Sequence, residues 1–233
     1  MRTLVFQGYL WGYILSNANK SFTINKLNKA GKNKDKLKLM DKIILKCTKN
    51  LIKISGADLV VTGTENIPLD EPVLYVSNHQ GNMDIPILYS TAPQTMAFVA
   101  KKEMEKIPML GYWMKERGCV FINRDNARSS LKAINQAIEG LKSGNSIAVF
   151  PEGTRSKGPK MGSFKPGSLR IAIKSGVKVI PVTLKDSYKL TGKKGKCTPA
   201  KVHVHYSNPI DSRNFTDTNE LATAVLTQIK RHL

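Results

Sequence analysis

From residue 58 onward the chain carries short β-branched and aromatic runs at regular intervals, and this recurrence restricts its fold more than any other feature. The runs fall at residues 59–61, 73–76, 96–99, 119–122, 147–150, 179–184 and 202–206. Helical patterns lie between several of them. Leu131, Ile134, Ala137, Ile138 and Leu141 are spaced by three and four, and Gly144 closes the pattern as a C-terminal stop. Residues 169–173 and 220–229 read as further helices. Strands alternating with helices predict an α/β sheet layered by helices. The runs are apolar throughout rather than alternating, so the central strands are expected to be covered on both faces.

A chain of 233 residues suffices for one sizeable domain with a small appendage. The composition shift near residue 58 divides it into a basic segment, 1–57, and a domain, 58–233. Residues 1–58 hold twelve Lys and Arg against three Asp. Within them Leu37, Met40, Ile44, Leu51 and Ile54 follow helical spacing with lysines between, as in a basic amphipathic helix. Residues 4–15 are apolar and carry Tyr9, Trp11 and Tyr13, types that favour a membrane–water boundary. That stretch is too short to span a bilayer and lacks a cleavage-site pattern, so no cleaved signal peptide is expected. The same lysines would equally serve a helix that packs on the domain and faces water. The net charge of +20 attracts polyanions, whether nucleic acid, an anionic bilayer or an acidic carrier. Cys47, Cys119 and Cys197 are far apart and form no metal-binding pattern, so they read as reduced thiols of a cytoplasmic protein.

The chemistry concentrates in two stretches that each follow a strand-like run. Asn78-His79-Gln80-Gly81-Asn82-Met83-Asp84 sets an imidazole five positions before a carboxylate. On an ideal helix those positions point about 140° apart, so the pair meets only if the chain turns, as Gly81 and Asn82 allow. A carboxylate on one ring nitrogen would leave the other free to take a proton from a hydroxyl. Alternatively, Asp84 caps the helix that Ile85-Pro86 begins, or His79 and Asp84 join His203 and His205 in a metal site. In Glu152-Gly153-Thr154-Arg155, Gly153 permits close backbone approach and Arg155 offers a planar fork for phosphate. Arg124 and Lys101 are further candidate cations; a surface charge is the competing reading of each, and more so of Lys101 than of Arg124. No Gly-x-Ser-x-Gly elbow, Walker loop or dinucleotide fingerprint occurs, so direct transfer without a covalent intermediate or cofactor is expected.

Together these motifs resemble the glycerolipid acyltransferase family, within it the 1-acyl-glycerol-3-phosphate acyltransferase branch. The family's His-x4-Asp box falls on His79 and Asp84, and its substrate-binding Arg segment on Val120-Phe121-Ile122-Asn123-Arg124. Its Glu-Gly-Thr-Arg box falls on Glu152 to Arg155, and its apolar-Pro-apolar strand on Val179-Ile180-Pro181-Val182. The family often has Asp where this chain has Asn123, and no role is assigned there. The resemblance covers roughly residues 58 to 210, and Pro181 is expected to shape a strand end beside the site. It implies a mixed central sheet covered by helices, as in glycerol-3-phosphate acyltransferases, with an N-terminal amphipathic helical pair that seats the protein on the membrane. It also implies catalysis by His79 and Asp84, with Lys101, Arg124, Glu152, Gly153, Thr154 and Arg155 binding substrate.

The implied reaction moves a fatty acyl group from acyl-CoA or acyl carrier protein to the sn-2 hydroxyl of lysophosphatidic acid, giving phosphatidic acid. The implied place is the cytoplasmic face of an anionic membrane, held peripherally or monotopically, with no cofactor, no metal and no nucleic acid. Two alternatives remain open at this point. One is a family member acting on another lysophospholipid; the other is a non-catalytic basic module for membrane or nucleic acid.

Overall fold

The computed structural model describes residues 1–123, 126–191 and 196–233, with Ala127 described in its backbone alone. The apolar runs become strands β1 (Ala57–Thr62), β2 (Val73–Ser77), β3 (Met96–Lys101), β4 (Val120–Ile122), β5 (Ser146–Val149), β6 (Lys178–Lys185) and β7 (Ala200–Tyr206). A two-residue strand, β8 (Ile210–Asp211), follows. The described residues form one sheet in the order β1-β7-β6-β2-β5-β3-β4, with β8 on β6. β6, β2, β5, β3 and β4 run parallel, whereas β7 and β8 pair antiparallel with β6, so the sheet is mixed.

Helices cover both faces because successive strand residues point opposite ways. Leu74 and Val76 pack with Ile147 and Val149 against α6 (Ala127–Lys142), α7 (Arg170–Ser175) and α8 (Thr218–Lys230). Val73 and Tyr75 face the other layer, with Ile87 and Leu88 of α4 (Asp84–Thr91) and Ile44 and Ile52 of α3 (Asn33–Ser55). Every residue of β2 is buried. At about 1.5–3 kcal/mol per fully buried aliphatic side chain, the central strands anchor the domain. α6 departs from its expected face: Ala133, Ala137, Ile138 and Leu141 are buried, but Leu131 is 46% exposed. Gly144 ends the helix with φ +89° as expected.

Pro181 lies inside β6 opposite Val76 rather than at a strand end. A strand residue aims its N–H and C=O to one side, and the Pro181 carbonyl accepts from Ser207 N–H at 2.9 Å. That side is where the outer edge of β6 changes partner, from β8 at Val179 to β7 at Val182. A missing N–H costs no ladder bond there, which is why proline is tolerated in a buried strand.

Residues 1–57 hold three helices rather than a pair: α1 (Arg2–Ser16), α2 (Lys20–Lys29) and α3. The lysine-rich periodicity breaks at Gly31, whose φ of +67° turns the chain before α3. Ile14, Ile24, Met40 and Ile43 close a small core with Trp113 of α5 (Leu110–Glu116). Asp41 of α3 accepts from Arg117 Nε at 2.5 Å, Tyr89 Oη at 2.5 Å and Thr95 Oγ1 at 2.7 Å. The basic segment is therefore packed on the domain and tied to it by a buried charge. Met1, Leu4, Val5, Trp11 and Leu15 of this region remain exposed, as does Phe22. Among the described residues no helix is long and apolar enough to cross a membrane.

Candidate active site

Five parallel strands end on the same edge of the sheet, and the carboxyl ends of such strands are where open α/β sheets bind ligands. β2 runs into His79, β5 into Phe150 and Glu152, β3 ends at Lys101, and β6 runs into Asp186 and Ser187. Motifs about seventy residues apart in sequence thus meet for a topological reason: β2 and β5 are neighbours.

The first loop is built around Asp84, the first residue of α4 and fully buried. Its Oδ2 accepts from Gln80 N–H at 2.7 Å and Gly81 N–H at 2.8 Å, and lies 2.7 Å from His79 Nδ1. Its Oδ1 accepts from Ser187 Oγ at 2.5 Å. A carboxylate already receiving three other donors has no proton to give, so His79 Nδ1 carries the hydrogen. In the neutral imidazole that hydrogen leaves Nε2 as the unprotonated nitrogen. The chain reverses between the two residues to let them meet, and Gly81 fits there because a Cβ would come within 3.1 Å of Thr191 Oγ1 and 3.4 Å of the Ser187 carbonyl.

The second motif braces the first. Glu152 is 4% exposed, and its two oxygens accept from His79 N–H at 2.6 Å and Gly162 N–H at 2.5 Å. Burial pushes its carboxyl above the ordinary glutamate value, against those two donors and His79, which pull it down. Both oxygens are committed to backbone, so Glu152 holds two loops together and does not orient Arg155. Ser156 N–H donates to the His79 carbonyl at 2.8 Å and Lys157 N–H to the Gln80 carbonyl at 3.1 Å, a second row of bonds between the same loops. Phe150 stacks on the His79 ring with centroids 4.0 Å apart, closing one face of the imidazole. The His79 side chain keeps 16% of its surface exposed, enough for a substrate atom to reach it.

Gly153 has φ +73° and donates its N–H to the Phe150 carbonyl at 3.0 Å, a turn for which glycine is suited. That turn leaves Thr154 and Arg155 exposed at the rim. The Arg155 guanidinium meets Asn82 Oδ1, which links it to the His79 loop. Lys101 is exposed at the end of β3 and paired with Glu103 at 2.9 Å. Arg124 lies outside the described residues.

His203 and His205 stand on β7, opposite Lys185 and Thr183 of β6. They line a hollow of about 190 Å³ with Val60, Thr62, Lys185 and His232. His205 Nδ1 lies 2.8 Å from Thr62 Oγ1 and its ring stacks on His232. Among the described residues no group of three or more His, Cys, Asp or Glu is arranged to hold a metal ion. Burial pushes the Cys119 thiol up to about 11, leaving it a protonated and weak nucleophile at neutral pH.

Sequence reading missed Asn78, Gln80, Phe150 and Ser187. Asn78 exchanges two 2.8 Å bonds with the Leu184 backbone, fixing the His79 loop to the end of β6. Only position could have flagged them: each lies within or beside a motif, or just after the end of a parallel strand.

Residues 58–185 match the family model described as Acyltransferase. A chloroplastic 1-acyl-sn-glycerol-3-phosphate acyltransferase of Arabidopsis thaliana is 40% identical over 153 residues, 64% of this chain and 43% of that protein. A 1-acyl-sn-glycerol-3-phosphate acyltransferase of Borreliella burgdorferi is 37% identical over 138 residues, 59% of this chain and 55% of that one. The chain spans about half the length of these curated relatives. The crystal structure of PlsC, the 1-acyl-sn-glycerophosphate acyltransferase of Thermotoga maritima, matches with a TM-score of 0.78 at 35% identity, covering 99% of this chain and 95% of that one. By its motifs, its sheet and these matches, the chain belongs to the acyltransferase family.

Proposed function

We propose that this protein transfers a fatty acyl group from a thioester, acyl-CoA or acyl carrier protein, to the sn-2 hydroxyl of 1-acyl-glycerol-3-phosphate, giving phosphatidic acid. The observation that carries this reading is the 2.7 Å contact between His79 Nδ1 and the fully buried, fully hydrogen-bonded Asp84. Nε2 takes the hydroxyl proton as the oxygen attacks the thioester carbonyl, and Asp84 stabilises the imidazolium that forms. The C–O bond forms, the C–S bond breaks, and the imidazolium returns its proton to the departing sulfur. The weakly nucleophilic Cys119 is consistent with direct transfer.

The acceptor's phosphate falls to Arg155 at the rim and to Arg124, with Lys101 a further cation once it leaves Glu103. Gly153 and Thr154 shape the turn that presents Arg155, and Glu152 fixes the His79 loop. The names of the matched relatives and of the Thermotoga maritima enzyme support lysophosphatidic acid as acceptor. The exposed Leu4, Val5, Trp11 and Leu15 of α1 and Phe22 of α2, next to the lysine-rich α3, support peripheral docking on the anionic cytoplasmic face of a membrane.

The test is to supply an acyl thioester on lipid vesicles and identify the lipid product by mass. Phosphatidic acid formed from lysophosphatidic acid, and far less product from uncharged lysolipids, is the expected result. Free fatty acid alone, or equal use of a lysolipid without phosphate, would overturn the assignment.

A further inference from the structure

Asp84 has a fourth partner from an element that none of the motifs includes. β6 ends at Lys185, and Asp186 adopts φ +71°, the left-handed region that aspartate tolerates better than most residues. That single turn delivers Ser187 to the core of the site, where it is fully buried. Its N–H donates to Gln80 Oε1 at 3.1 Å, which sets the backbone. Its hydroxyl lies 2.5 Å from Asp84 Oδ1 and 3.3 Å from Gln80 Oε1, and its single proton goes to the nearer, charged acceptor. The Oδ2 of Asp84 is held by the His79 loop itself, so Ser187 supplies the one described contact that fixes the other oxygen from outside the loop.

We propose that Ser187 is a positioning residue for the His79–Asp84 pair, holding the carboxylate rotamer and withdrawing charge from it so that the imidazole has the basicity the transfer needs. This rests on the reading of His79 as general base. Among the described residues, the charged groups on the elements packed against the pair are Glu152, Arg155 and Lys157 on the loop after β5, with Arg155 meeting Asn82, and Asp186 on Ser187's own turn, which faces Lys189 at 3.0 Å. None of them replaces a donor to Asp84. Removing the hydroxyl leaves more negative charge facing His79. The imidazolium is then favoured, and a higher pH is needed to free the base.

The experiment is a pH profile of kcat/KM for Ser187→Ala, Ser187→Thr and His79→Ala, with thiol release as readout. Ser187→Ala is expected to lose about tenfold in kcat, the scale of one charge-assisted hydrogen bond. Its KM for donor and acceptor stays within about twofold, and its acid limb moves up by about half a pH unit or more. Ser187→Thr, which retains the hydroxyl, recovers rate and limb together. If Ser187→Ala does not fold, Ser187→Cys fills the same space with a poor donor and is read the same way. An acid limb that stays in place, whether or not the rate falls, would overturn the proposal and reduce Ser187 to packing. Full activity in His79→Ala would instead overturn the general-base reading on which it stands.

Discussion

Two carboxylates of this protein are held in much the same manner and yet have different uses. Asp84 sits at the carboxyl ends of the parallel strands and accepts from His79, Gln80, Gly81 and Ser187. Asp41 sits near their amino ends, on α3, and accepts from Tyr89, Thr95 and Arg117. Both networks are dense and short, so burial and hydrogen bonding alone would mark either as a site. The difference lies in the next group along. Asp84 faces an imidazole whose side chain keeps 16% of its surface exposed. Asp41 hands its charge to Arg117, 4% exposed, whose guanidinium does not release its proton. Burial pushes the neighbouring Tyr89 hydroxyl well up, reinforced by Asp41, so that group does not titrate either. In the proposed mechanism one network ends in a proton that moves to and from substrate, whereas the other ends in fixed protons and clamps the N-terminal helices to the sheet.

Breaking each network should therefore give opposite phenotypes. The largest effect falls on turnover: His79→Ala should lose about 10²–10⁴ in rate, the usual worth of a general base, while its melting temperature stays near that of the wild type. Arg117→Ala should do the reverse, costing about 3–5 kcal/mol of stability by leaving Asp41 charged and unpaired. Below its lowered melting temperature its kcat should stay within a few-fold of wild type. Denaturant unfolding alongside thiol release separates the two patterns, and equal losses of stability would erase the distinction.

Glu152→Gln sharpens the comparison from a third position, since it touches the His79 loop without holding a proton in transit. The amide keeps one acceptor and turns a donor toward the other N–H, at a cost of about 1–3 kcal/mol. Burial raises the wild-type carboxyl above its ordinary value of 4.5, so its folded-state pKa exceeds the unfolded one. The wild type's stability advantage over Glu152→Gln is thus fully present below the ordinary value and shrinks as pH rises through the raised one. Unfolding curves of both proteins across that interval check the sign. The smallest effect is expected at the rim: Arg155→Ala should raise KM for a phosphate-bearing acceptor about tenfold, leaving kcat and stability in place. Steady-state kinetics with varied acceptor decides this.

The difference between these regions also explains what could be read from the chain alone. Seven strands were legible because their β-branched runs are long enough to carry a pattern; β8, with two residues, is not. His79 and Asp84 were legible because five residues and a glycine bring them together locally. Ser187 was not, since its contact with Asp84 spans 103 residues and depends on β6 lying beside β2. The Asp41–Arg117 clamp escaped for the same reason, its partners being 76 residues apart. Leu131 looked buried by spacing, but Ala133 takes the inward place at the start of α6. Pro181 suggested a strand end because a proline in a buried strand needs an unpaired edge, and the change of partner from β8 to β7 provides one inside the strand.

The measurement that tests the central claim most directly is single-turnover thiol release by wild type and His79→Ala, at saturating lysophosphatidic acid and matched folded fraction. A fall of about 10²–10⁴ with unchanged unfolding behaviour is the predicted result. A His79→Ala rate within a few-fold of wild type would show that the proton leaves by another route, and the buried Asp84 network would then be structural like that of Asp41.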